Sequence, residues 1–244
     1  MRIARLIAYG LFVVCFSLLL VTSTVRLAVN STQLYQYGFY KYQAGLVTGL
    51  DEGQLKQVAG KLTDYFSSRA ETPQIEVVKE GRRSELFHDY ELVHLRDVKK
   101  LFQIDYWLQT ASIAYIIAYV LLFLLWRKGR WQDLSKGVMW GCAVTLCLIA
   151  VVGIVSFFGF EQLFIQFHYL VFGDPSTSPW VLDPGKDYLI MLFPPPFWQD
   201  IAMLGGITIA VEALLFGGIA WLVPFLYQRR KCCESDFLDK DPEP

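Results

Sequence analysis

The chain holds three histidines, His88, His94 and His168, and each lies outside its long apolar runs. Imidazole is the side chain that changes charge unaided near neutral pH, so these residues are the first candidates for proton transfer. His94 stands in ELVHLRDVK. On a helix, Glu91 and Asp97 would lie three residues to either side of it, where a carboxylate could orient the ring and fix its tautomer. His168 ends an apolar, Phe-rich run and is followed by Asp174, Asp183 and Asp187. Two histidines from separate stretches could converge over one pocket. An imidazole beside apolar runs is, however, more often a hydrogen-bonded polar tip, so spacing alone leaves both readings open. No metal and no cofactor are expected: there is no H-E-x-x-H, and His88 and His94 are six apart, which does not put them on one helical face. A catalytic imidazole would lose activity on the acid side of about pH 6 to 7.

The cysteines narrow the chemistry further. Cys15, Cys142 and Cys147 sit inside apolar runs, and Cys232 and Cys233 near the C-terminal end. The stretches that carry the histidines therefore offer no thiol nucleophile and no disulfide scaffold. Cys142 and Cys147 read as apolar filler, and the Cys232–Cys233 pair as an ordinary tail rather than a lipid or metal site. Asn30-Ser31-Thr32 is a glycosylation sequon by pattern only. Glu212 lies within an apolar run, where charge is expensive; it should face a partner or a wet cavity, with a helix–helix hydrogen bond favoured over a chemical role.

The elements that must position these residues follow from composition. Of 244 residues, 54% are hydrophobic and 18% charged, and the mean hydropathy of +0.36 exceeds that of an ordinary soluble domain. Lys and Arg at 22 against Asp and Glu at 23 give a net charge of −1, which excludes a nucleic-acid partner held by bulk charge. An aromatic content of 16% excludes disorder. A bilayer core of about 30 Å needs roughly 20 apolar residues per helix. Leu6–Val25, Tyr106–Trp126, Val138–Phe158 and Ile201–Tyr227 meet that requirement. The first is expected to be a retained span, because its apolar run is longer than a signal-peptide core and no A-x-A site follows. Arg2 and Arg5, then Arg127, Lys128, Arg130 and Lys136, then Arg229, Arg230 and Lys231 share one side only if both termini are cytoplasmic.

The organisation expected is span one (1–27), an extracytoplasmic cap (28–105), span two (106–126), a cytoplasmic loop (127–137), span three (138–158), an extracytoplasmic interfacial segment (159–200), span four (201–227) and a cytoplasmic tail (228–244). The fold class is an α-helical membrane protein: four transmembrane helices, a small α+β cap between spans one and two, and a re-entrant or interfacial segment between spans three and four. In the cap, DEGQLKQVAGKLTDYFSS predicts an amphipathic helix with Asp51 as N-cap and Leu55, Val58, Leu62 and Tyr65 as its apolar stripe. IEVV and SELFHDYEL predict short strands, and HLRDVKKLFQ a helix feeding span two. Phe160 to Phe172 suits either an interfacial helix or a continuation of span three. Gly173 to Lys186 is a loop by composition, Pro194 to Pro196 stop the chain before the last helix, and Trp180, Phe197 and Trp198 fit the headgroup level.

These segments resemble a family of bacterial four-span membrane proteins, that of Lit, the lipoprotein intramolecular transacylase. The resemblance rests on LYQYGFYKYQAGLVTGLDEGQL, on ELVHLRDVK, and on FHYLVFGDPSTSPWVLDPGKDYLIMLFP followed by FW-x-D. It covers both outward segments and agrees with the span count. The chain departs from the family at GDPSTSP, where a shorter Asn-containing stretch is expected, and at Pro195-Pro196, where an acidic residue is frequent; both leave the histidines in place. The resemblance implies transfer of a fatty acyl group from the sn-2 oxygen of a diacylglyceryl lipoprotein to the α-amino group of its N-terminal cysteine, at the outer face of a bacterial membrane. It implies His94 and His168 as the acid/base and oxyanion-stabilising pair, Asp97 as the group that orients His94, and Lys99, Trp180, Asp183 and Asp187 as pocket-shaping members of the motifs. Diacylglyceryl lipoproteins and membrane lipids are the partners implied, and the enzyme is expected to be a monomer. A non-enzymatic outward-facing sensor or accessory subunit, and a lipid acyl hydrolase, are the competing readings.

Overall fold

The computed structural model describes residues 2–79, 81–127, 131–176 and 178–238; the side chains of 124–127, 131 and 230–238 are not described. Lys128 and Arg130 of the expected link, and the tail beyond Leu238, lie outside the described residues. In chain order the elements are α1 (Arg2–Val29), α2 (Thr32–Lys41), α3 (Ala44–Thr48), α4 (Glu52–Ser67), β1 (Glu76–Lys79), β2 (Arg82–Glu85), α5 (Asp89–Arg127), α6 (Trp131–Phe172), α7 (Tyr188–Leu192) and α8 (Pro195–Leu238). Among the described residues, α1, α5, α6 and α8 each contain a stretch long and apolar enough to cross a membrane. Their large apolar side chains point outward in quantity, with Phe157 84%, Leu214 64% and Ile219 58% exposed. Such surface is stable against lipid, not water. The protein is thus a multi-pass α-helical membrane protein.

The chain divides into two compact units. The first comprises 1–22, 108–150 and 207–244. Its core is small: Leu20, Cys142, Ile209 and Ala213, flanked by Phe16, Val21, Val138, Leu146 and Ile149. Close approach of α1 and α6 depends on small residues, since a Cβ on Gly137 would meet Phe12 at 2.9 Å and one on Gly141 would meet Phe16 at 2.9 Å. The Thr145 hydroxyl bonds the Gly141 carbonyl and lies 2.8 Å from the Ser17 hydroxyl. Cys142 is a buried filler here, as expected.

The second unit comprises 23–107 and 151–206 and holds the larger core. Helix α4 forms where the amphipathic pattern predicts it. Asp51 accepts from the Gln54 amide while Gln54 reaches back to the Asp51 amide, a reciprocal N-terminal cap. Most of its stripe is buried, with Val58 and Leu62 fully inaccessible, Tyr65 nearly so and Leu55 partly buried. β1 and β2 pair antiparallel, Glu76 opposite Glu85 and Lys79 opposite Arg82, around a turn where Gly81 has φ 76°. The second strand differs from the expectation over SELFHDYEL: it ends at Glu85, Leu86 and Phe87 bury into the core, and α5 begins at Asp89. Asp89 and Glu91 in the first helical turn favour helix over strand there, by complementing the N-terminal dipole.

Further features of this unit bear on the site. Helices α2 and α3 occupy a stretch for which the sequence suggested no element. Phe160 to Phe172, expected as either an interfacial helix or a continuation of span three, is the last part of α6, set off from the rest by non-helical backbone at Gly159. Pro195 and Pro196 do not stop the chain; they open α8, where a missing N–H costs nothing. Phe197 is a core residue at 1% exposure, not an interfacial anchor, and it lies against Gly38 of α2, where a Cβ would come within 2.4 Å of the ring. Lys41 and Tyr42 complete the junction by bonding the Asp200 carboxylate at 2.5 and 2.6 Å.

Candidate active site

Helix α5 carries His94 and the end of α6 carries His168, and the second unit brings the two rings together with centroids 6.0 Å apart, tilted by 29°. Both are buried, at 7% and 8% exposure. Phe172 lies 5.0 Å from the His94 ring and 5.4 Å from the His168 ring, Phe164 4.2 Å from His168, and Trp180 5.3 Å from His168. The pair faces a cavity of about 350 Å³ lined almost wholly by apolar side chains, among them Leu34, Phe66, Phe102, Leu182 and Ile201. A cavity of this size and character suits a hydrocarbon chain.

Each ring sits before or after the apolar crossing on its helix: His94 precedes the 106–126 stretch and His168 follows the 138–158 stretch. Burial, reinforced by the neighbouring His168, pushes the His94 imidazole down to about 4, although Asp97 acts in the opposite sense. Burial likewise lowers His168, opposed by its bond to the Phe164 carbonyl. Both rings are therefore neutral at pH 7. The acid limb expected at about pH 6 to 7 for an ordinary imidazole moves to lower pH, because desolvation disfavours the cation. His168 Nδ1 lies 2.8 Å from the Phe164 carbonyl. A carbonyl can only accept, so Nδ1 carries the proton and Nε2 holds the lone pair.

Neither carboxylate flanking His94 orients it. Asp97 accepts from Ser178 Oγ at 3.2 Å and from Lys100 Nζ at 2.8 Å, and Glu91 turns the other way, toward Leu189 and His88. Among the described residues His94 Nδ1, though buried, has no hydrogen-bond partner. Helical spacing predicts proximity, but better donors on neighbouring segments capture both acids. The His94 ring is held by packing against Phe172 and His168, and Asp97 acts on it only through space. The remaining motif residues divide by role. Trp180 lines the cavity, its indole N–H bonded to the Gly173 carbonyl at 3.0 Å. Lys99 does not line it: buried at 4% exposure, its ammonium bonds the Ala70 carbonyl at 2.6 Å and sits 4.1 Å from the Tyr65 ring centroid. Asp183 and Asp187 lie outside the cavity lining. Asp187 accepts from the Asp183 N–H at 2.7 Å and from the Tyr90 hydroxyl; burial opposes its ionisation, but these bonds outweigh that and hold its carboxyl below the ordinary value. The aromatic box of Phe164 and Phe172 escaped the sequence reading, because a Phe-rich helix end looks the same whether it faces lipid or a partner ring.

One group of potential metal ligands exists among the described residues: His88, Glu91 and Asp187 offer donor atoms within 4.8 Å of one another. Both carboxylates already accept protein hydrogen bonds, Glu91 from the Leu189 and His88 N–H groups and Asp187 from the Asp183 N–H and the Tyr90 hydroxyl.

Paired neutral imidazoles lie over an apolar cavity in a multi-pass membrane protein, an arrangement able to move protons beside a hydrocarbon chain. Residues 10–198 match the sequence model of the lipoprotein intramolecular transacylase Lit, and the chain belongs to that family of acyltransferases. A solved structure of membrane-integral Lit from Bacillus cereus superposes with TM-score 0.77 at 17% identity, covering 95% of this chain and all of that one. A variant of the same protein with one histidine replaced by arginine superposes at TM-score 0.73 and 17% identity, covering 95% of each chain. An uncharacterised Aquifex aeolicus protein is 31% identical over 141 residues, 57% of this chain and 56% of its own length; the chain thus spans little more than half of that relative.

Proposed function

We propose that this protein transfers the sn-2 acyl group of a diacylglyceryl lipoprotein to the α-amino group of the lipoprotein's N-terminal cysteine, leaving a lyso-form lipoprotein. The observation that carries this reading is the 6.0 Å approach of the His94 and His168 rings over the apolar cavity. The acyl chain occupies the cavity, and its ester carbonyl lies at the imidazoles. Both reacting groups belong to one molecule, so holding amine and carbonyl about 3 Å apart supplies much of the acceleration without a covalent enzyme intermediate.

His168 suits the general base. With Nδ1 donating to Phe164, its Nε2 takes the proton from the amine as the N–C bond forms, and returns it to the glycerol oxygen as the C–O bond breaks. The net change is ester and amine to amide and alcohol. His94, packed ring to ring with His168 and lining the cavity, is the group assigned to donate to the tetrahedral oxyanion. Neutrality suits both roles. By this reading the histidines face the outer side of the membrane, both termini are cytoplasmic, diacylglyceryl lipoproteins and membrane lipids are the partners, and the enzyme works as a monomer.

The test is expression in a bacterial strain that makes only diacyl lipoproteins, followed by mass spectrometry of the N-terminal lipopeptide. An N-acyl cysteine with one acyl chain left on glycerol supports transfer. A mono-acylated glyceryl with a free amine means hydrolysis, and unchanged diacyl lipoprotein means a non-enzymatic role; either result overturns the proposal.

A further inference from the structure

The first turn of α5 and the segment 183–189 interlock through Glu91, Tyr90, Asp183 and Asp187, none of which lines the cavity, and through the N–H of Leu189, which does. Glu91 is fully buried. One of its oxygens accepts the Leu189 N–H at 2.7 Å, and the other accepts the His88 N–H at 2.8 Å. The same carboxylate therefore caps two helices: α5, from its own third position, and α7, from outside. Helix α7 requires this, since its N-cap residue Asp187 makes no side-chain cap bond. Asp187 instead reaches across to the Tyr90 hydroxyl and binds the Asp183 N–H at 2.7 Å. Each strand of the junction thus supplies a carboxylate to the other. The connection is two-way and short, fully buried between Glu91 and Leu189 and part-buried at its other bonds.

What it joins is decisive. Glu91 stands one helical turn before His94. The segment 183–189 follows directly on the loop that carries Trp180, which packs on His168 at 5.3 Å, and Ser178, which bonds Asp97. We infer that Glu91 is a positioning residue: it locks the loop around His168 onto the helix that carries His94 and so sets the spacing of the two imidazoles. The inference rests on the transacylase reading for its functional consequence but on buried hydrogen bonds for its geometry. A buried carboxylate that accepts two backbone N–H bonds, with His88 Nδ1 also 2.8 Å away here, fixes backbone position strongly, because losing the acceptor strands each donor. A displacement of about 1 Å at a reacting centre costs on the order of 100-fold in rate.

Glu91→Gln keeps the shape but presents an amide N–H to one of the two backbone donors. In purified full-length protein it should lower kcat about 10- to 100-fold with KM for a diacylglyceryl lipopeptide within about 2-fold, because Glu91 touches no substrate. Amide hydrogen exchange should rise at 183–189 while α4 stays protected. Tyr90→Phe, which removes the hydroxyl bonded to Asp187 and next to Lys186 but leaves both Glu91 bonds, should show the same pattern weakly. His88→Gln keeps the backbone bond to Glu91 but removes the imidazole that lies 2.8 Å from the same carboxylate, and should show the same pattern weakly, as Tyr90→Phe does. Wild-type kcat in Glu91→Gln, or a lower kcat with unchanged exchange at 183–189, overturns the inference. So does a loss in His88→Gln equal to that in Glu91→Gln, and so does general unfolding of both Glu91→Gln and Tyr90→Phe, which would make the junction structural alone. Absence of acyl transfer by the wild-type protein would instead strike the proposed function, leaving the exchange result to judge the junction.

Discussion

His94 and His168 come from different helices, and their rings meet at 6.0 Å with Phe172 within 5.0 Å of the first and 5.4 Å of the second. Aromatic packing holds both, and the Phe164 carbonyl on Nδ1 holds His168 as well; no carboxylate among the described residues does. Neutral imidazoles in an apolar box differ from the usual histidine–carboxylate arrangement in charge and in pH response, and this distinction shapes the predictions that follow.

Replacement of either histidine by Gln should reduce conversion of diacyl to lyso-form lipoprotein by at least about 100-fold, the usual contribution of a positioned acid/base group. Membrane insertion and yield should be unchanged. Conversion at the wild-type rate in either variant would remove that residue from the mechanism.

The pH response follows from burial. The unfolded value of His94 is near 6.5 and its folded value is pushed down to about 4. Between those values the unfolded chain binds a proton that the folded protein refuses, so stability is complete above about pH 6.5 and declines as pH falls toward 4. His168 shifts in the same direction. Thermal unfolding in detergent from pH 7 to 4 should show Tm falling more steeply in the wild type than in His94→Gln. Parallel curves would contradict the burial argument.

Gly38→Ala tests the junction of α2 with α8. The new methyl would stand 2.4 Å from the Phe197 ring, which is 1% exposed and hemmed in by Phe193 and Trp198. Overpacking of this kind costs about 1–3 kcal/mol. Tm should fall, and Gly38→Ala combined with Phe197→Leu should recover part of the loss.

Lys99→Met separates support from chemistry. Its ammonium reaches Ala70, in the loop after α4, and does not line the cavity. Stability should fall by about 1–3 kcal/mol, from the stranded carbonyl, while kcat of the folded fraction stays within about 3-fold of wild type. A large loss of kcat at unchanged Tm would place Lys99 in the reaction itself.

The amino-acid order alone determined whatever depends on local periodicity and composition. Four apolar runs of membrane length announce four crossing helices because lipid admits no unsatisfied backbone, and α4 follows from Asp51, Gln54 and a stripe at helical spacing. Three histidines stood out as the side chains suited to proton transfer at neutrality, and the family resemblance, not spacing, singled out His94 and His168. Tertiary structure decided the rest. Whether Glu91 and Asp97 serve His94 or another partner depends on which buried N–H and O–H groups arrive from distant segments, and here Leu189 and Ser178 arrive first. The fate of Phe172, Phe164 and Phe197 was equally hidden, since an apolar ring looks alike in sequence whether it meets lipid, core or imidazole. Local pattern specifies a helix and its caps; competition among long-range contacts specifies who orients whom.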